Sequence, residues 1–163
     1  MANSKQAQNQ DAPKPDPALK QLNRFVGTWN LKGHPIGSDE DSITGTTTFK
    51  WLTDDGQSFF LEQDMDMDFD GKPIKSHELI GYNPKTKAFA SYVYSNMPPD
   101  PWPYAWEVQD DDLIISIKKP PMDATFHAKF SPDGKSFSGG WRPNPGADVN
   151  VNSAYDITAT RVG

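Results

Sequence analysis

The sequence contains no cysteine. That excludes a disulfide frame, a thiolate metal site and a cysteine nucleophile, and it fits a reducing compartment, so a cytoplasmic location is expected. There is no run of basic residues either. Sixteen Lys and Arg stand against 22 Asp and Glu, a net charge of -6, and the cations are scattered. Nucleic-acid and anionic-membrane surfaces both need a concentrated basic patch, so neither partner is expected. No stretch approaches the ~20 apolar residues of a membrane span. Residues 1–16 lack the apolar segment of a signal peptide and read as a disordered polar tail. Catalytic motifs are equally scarce. There is no Gly-x-Gly-x-x-Gly or Walker loop, no histidine pair at zinc spacing and no legible Ser-His-Asp set. No cofactor and no metal are expected.

What is present points to an all-β domain. The 163 residues suffice for one domain with a real core, from residue 17 to 163. Aromatics make up 12% of the chain, and 12 Gly and 15 Pro interrupt it at short intervals. Asp16-Pro17 is a helix-start signal, and Leu19, Leu22, Phe25 and Val26 fall on one helical face. A helix this short must dock to persist. Beyond Val26 the apolar period becomes two. Ten strands are read, at 27–33, 43–51, 58–69, 74–82, 88–95, 102–108, 113–118, 124–130, 136–141 and 151–161.

The connections are sorted by length. The even ones read as tight turns, such as Asp54-Asp55-Gly56 and Asp110-Asp111-Asp112; most odd ones are longer, at 34–42, 96–101, 119–123 and 142–150. In an up-and-down meander, alternate connections share an end. One end is therefore closed by turns and by the preceding helix, and the other carries the long loops. Ten strands must close or stack. A closed antiparallel barrel with one helix plugging an end is the predicted fold, with room for a small ligand.

Two segments resemble a known signature. Phe25-Val26-Gly27-Thr28-Trp29 resembles the Gly-x-Trp opening of strand one in lipocalins, and Ala159-Thr160-Arg161 resembles their final-strand arginine. The resemblance implies that Trp29 and Arg161 pack together and close the barrel. The chain is also similar to a bacterial family of lipocalin-like domains of unknown function. That likeness is carried by residues 22–29, Phe59-Phe60-Leu61, Met65-Asp66-Met67-Asp68-Phe69, Ile80-Gly81-Tyr82-Asn83-Pro84, Phe137-Ser138-Gly139-Gly140-Trp141 and residues 155–161. It implies the fold and no activity. The neighbouring nitrobindins bind haem through a late histidine, whereas the last strand here offers Tyr155 and no histidine.

Candidate site residues cluster at the long-loop end: Met65, Met67, Tyr94, Trp102, Tyr104 and Trp141, with either His77 or Glu78 facing the lumen. Aromatic walls with adaptable methionines suit an apolar or planar ligand; plain core filling is the competing reading. Asp66-Met67-Asp68-Phe69-Asp70-Gly71 starts like a calcium loop, but its twelfth position is His77 and no helices flank it. An acidic strand face ending in an Asp-Gly hairpin turn is the simpler reading. Binding of a small apolar or aromatic molecule is the leading expectation. A cofactor-free isomerase, cyclase or decarboxylase would use His77 or Glu78 with Tyr94 or Tyr104. A filled barrel serving as an interaction domain is the third reading, and a homodimer is left open.

Overall fold

The fold begins at Asp16, whose carboxylate accepts the Ala18 N–H at 2.9 Å, while Pro17 takes a position where its missing N–H costs nothing. A computed structural model describes residues 12–163; the polar tail expected over residues 1–16 lies mostly outside the described residues. Pro17–Phe25 forms a 3-10 helix. The spacing of its apolar residues explains the form. Leu19, Leu22 and Phe25 are three apart, and a helix of about three residues per turn stacks such positions in one straight stripe. All three are buried, each contributing roughly 1.5–3 kcal/mol. Val26 falls outside the helix as its C-cap.

Ten antiparallel strands follow: β1 Gly27–Pro35, β2 Ile43–Trp51, β3 Phe60–Phe69, β4 Lys72–Asn83, β5 Ala88–Ser95, β6 Trp102–Gln109, β7 Asp112–Lys119, β8 Met122–Phe130, β9 Ser136–Pro143 and β10 Tyr155–Arg161. Each pairs with its sequence neighbours, and β10 pairs with β1, closing the barrel. The loop sorting is less regular than the sequence suggests. The β2–β3 connection spans residues 52–59, whereas β7 and β8 are joined by Pro120-Pro121 alone. The last strand starts at Tyr155, later than expected, because the preceding loop is pinned from inside. Buried Asn152 accepts the Asp123 N–H at 2.9 Å and donates to the carbonyls of Pro121 and Asp148 at 3.1 and 2.9 Å. Its side chain spends its hydrogen bonds on loop backbone, so the segment cannot join the β ladder early.

The helix seals one end through Phe25, whose ring lies 5.1–6.0 Å from those of Phe49, Trp106, Phe130 and Phe137. Trp29 is fully buried beneath it and donates from Nε1 to the Phe25 carbonyl at 2.8 Å. Arg161 faces Trp29 across the β1–β10 seam, with its guanidinium carbon 4.2 Å from the ring centroid. Nη1 and Nη2 donate to the carbonyls of Val26 and Arg24 at 2.6 and 2.7 Å. One planar cation thus satisfies two helix-end acceptors and covers an indole. Gly27 makes room for it: at φ +132°, a Cβ there would sit 2.6 Å from Nη1.

Candidate functional site

The β3–β4 register decides which side chains enter the lumen. Gln63 pairs with Glu78, and Asp64 pairs with His77. On β4 the even positions carry Ile74, Ile80 and Tyr82, so that face turns inward and takes Glu78 with it. His77 is on the outer face, where Nδ1 sits 2.7 Å from Asp64 Oδ1. His77 is therefore not a lumen residue. Tyr94 is also excluded. The inner face of β5 is Phe89, Ser91 and Val93, which leaves Tyr92 and Tyr94 59% and 58% exposed on the outside. The acidic stretch on β3 is a strand face too. Asp66 pairs with Lys75 at 3.5 Å, and Asp68 accepts the Gly71 N–H at 2.8 Å to close the turn. Among the described residues, no group of three or more His, Asp or Glu is arranged to hold a metal ion.

Two voids lie along the barrel. An inner chamber of about 140 Å3 is walled by residues that include Thr47, Gln63, Met65, Met67, Ser76 and Glu78. A mouth cavity of about 390 Å3 opens between the loops, with Ile74, Met97, Trp102 and Val151 in its wall. Tyr104, Trp141 and Tyr155 belong to both walls. Tyr104 and Trp141 pack at 5.5 Å between ring centroids, and Tyr155 packs on Phe69 at 4.9 Å. Of the residues singled out from sequence, Met65, Met67, Glu78, Tyr104 and Trp141 surround the inner chamber, and Trp102 reaches only the mouth. Sequence reasoning missed Thr47, Gln63, Ser76 and Tyr155. Their strand parity places all four inward, but three are small or polar and lie on faces otherwise read for apolar residues.

Among the described residues, Glu78 is the only acidic or basic side chain that lines the inner chamber. It is 5% exposed. Ser91 Oγ and Trp106 Nε1 both donate to its Oε2, at 2.5 and 2.9 Å. Burial pushes its carboxyl up to about 7, against the opposing pull of those two donors and of the His77 charge. Tyr104 is held well above the usual phenol range, first by burial, then by Glu78 and Tyr155; Tyr155 is raised by burial. Both phenols therefore remain protonated near neutral pH. Thr47 and Gln63 complete the polar lining: the Thr47 hydroxyl donates to the Asp64 carbonyl at 3.1 Å, and Gln63 Nε2 donates to Thr47 Oγ1 at 2.9 Å. The chamber thus joins one carboxyl of near-neutral affinity for protons to aromatic and methionine walls. Among the described residues, no histidine lines it.

Among the described residues, no helix is long and apolar enough to cross a membrane. No curated protein matches the chain. Among solved structures, Rv2717c from M. tuberculosis is similar at 12% identity, covering 92% of this chain and 100% of its own, with a TM-score of 0.56. The wild-type fluorescent protein UnaG is similar at 13% identity, covering 86% of this chain and 99% of its own, with a TM-score of 0.43. At 12% identity, the likeness to Rv2717c speaks for the fold and not for a ligand. The chain belongs to the family described as "Protein of unknown function (DUF1579)", whose profile matches residues 14–139.

Proposed function

We propose that this lipocalin-like barrel binds a small, mainly apolar or aromatic molecule, admitted at the loop-bearing mouth and reaching toward the inner chamber. The observation that carries the reading is the pair of voids meeting at Tyr104, Trp141 and Tyr155. The mouth alone, at about 390 Å3, has the volume of a small-molecule pocket, about 300–1,000 Å3. Its wall mixes large rings with a few polar groups, which is how such sites combine affinity with orientation. A barrel packed solely for stability would fill this space.

An apolar dye that fluoresces on leaving water tests the reading. Trp102→Ala should weaken dye binding roughly tenfold, by removing one aromatic wall of the mouth. Thr46→Ala, on the outer face of β2, should leave it unchanged. Equal affinity in both variants would place the dye elsewhere. The cofactor-free enzyme reading is left with Glu78 beside Tyr104, because His77 and Tyr94 lie outside the lumen. Glu78 has no second group titrating near neutrality with which to pass a proton across the chamber.

A further inference from the structure

The polar atoms of the inner chamber are not a random set. Glu78 takes both of its donors on Oε2, leaving Oε1 without a protein partner. No enclosed side-chain N or O among the described residues lacks a partner, so Oε1 opens on the cavity. Gln63 is oriented by its network. The single Thr47 proton is used on the Asp64 carbonyl, so Thr47 Oγ1 must accept from Gln63. That fixes the amide nitrogen toward Thr47 and leaves the Gln63 carbonyl oxygen free. Gln63 and Glu78 are direct cross-strand partners on the inner face. Two acceptors without a protein partner thus belong to directly paired residues that both line the inner chamber. Among the described residues no Lys, Arg or His lines that wall; Lys72 lines the mouth cavity.

Building on the lumen-binding reading, we infer that the barrel selects molecules ending in an amine, with the ammonium against Glu78 and Gln63 and the apolar body in the mouth. A carboxylate head would meet an acceptor pair with no counter-charge, a desolvated like-charge contact. An ammonium supplies donors to both oxygens, and Glu78 is already removed from water before the ligand arrives. The ligand's own dehydration is offset by charge-assisted hydrogen bonds in a low-dielectric site. Size agrees: an apolar cavity of about 150 Å3 accepts benzene, so an inner chamber of about 140 Å3 holds an aminoethyl head but not a fused ring system.

Three ligands of one shape separate the possibilities: naphthylethylamine, naphthylacetate and the uncharged naphthylethyl methyl ether, titrated calorimetrically at about pH 8, above the Glu78 value. The amine should bind at least about tenfold tighter than the ether, the worth of one hydrogen bond to a charged group, and the acetate should be weakest. Glu78→Gln keeps an acceptor for Ser91 and Trp106; it should erase the amine's advantage over the ether, while Thr46→Ala on the outer face of β2 leaves that advantage intact. Gln63→Met should reduce the advantage in part. An ether or acetate as tight as the amine, or a preference surviving Glu78→Gln, overturns the amine assignment while leaving lumen binding intact. Failure of all three to bind overturns the lumen reading itself, and the amine assignment with it.

Discussion

Glu78 shows how a single position can be legible as one of two and no further. The sequence offers His77 and Glu78 on opposite faces of one strand, and either could serve chemistry. The pattern that resolves them is the company each keeps: Ile74, Ile80 and Tyr82 share parity with Glu78, against Leu79 alone beside His77. The strand follows the larger apolar set, and Leu79 is left partly exposed. Burial then has a consequence for stability. The Glu78 carboxyl stands at about 7 in the folded protein against an ordinary value near 4.5, so the folded state holds the proton more tightly than the unfolded chain. Its contribution is fully present below about pH 4.5 and is lost as pH rises through about 7. The loss amounts to about 3 kcal/mol. Relative to the natural protein, Glu78→Gln should therefore gain stability above pH 7 and gain little at acid pH. Thermal melts of both proteins across this range check it; a difference in melting temperature that does not change with pH would show that Glu78 titrates as an ordinary carboxylate.

At the scale of elements, the strands were more legible than their connections. Alternation over Ile43, Thr47 and Phe49, or over Phe126, Ala128 and Phe130, leaves little freedom in which face is dry. Tyr94 defeated the same reasoning, because a tyrosine tolerates water at its hydroxyl and β5 fills its inner face with Ser91 and Val93 instead. Loop lengths were misjudged where side chains act at a distance: nothing local announces that Asn152 will anchor the loop ahead of β10. The helix start was legible and its form was not, although a stripe spaced by threes is what a 3-10 helix requires. The helix is held by its contacts more than by its own hydrogen bonds, so Phe25→Ala should cost about 3–5 kcal/mol. Gln21→Ala, on the exposed side, should change stability by less than about 0.5 kcal/mol. Urea denaturation midpoints measure both, and near-equal values would mean that the helix merely rests on the barrel.

For the whole molecule, closure is concentrated at one seam. The lipocalin-like signature pointed to Trp29 and Arg161, and the structure gives their contact a physical content beyond stacking, since Arg161 also ties the carbonyls of Arg24 and Val26 to the last strand. A lysine there keeps the charge but lacks the planar fork. Arg161→Lys should lose about 1–3 kcal/mol, as expected for charged hydrogen bonds left unmade to enclosed carbonyls. Asp111→Ala, which removes the solvent-side partner of Arg24, should lose less than about 1 kcal/mol. A thermal shift no larger for Arg161→Lys than for Asp111→Ala would show that the seam does not depend on the guanidinium.

The same seam sets an order of events in the making of the chain. Nine of the ten ladders join neighbours in sequence and can form as each hairpin leaves the ribosome, but the tenth joins β1 to β10. Until β10 emerges, β1 keeps an unpaired edge, and Trp29 and the Arg24 and Val26 carbonyls lack their cover. That growing chain is an open sheet with a reactive margin, the form most prone to pair with a neighbour. Folding to the finished barrel is in this sense a long-range step, and what guards the protein during synthesis is the speed with which β10 follows β9.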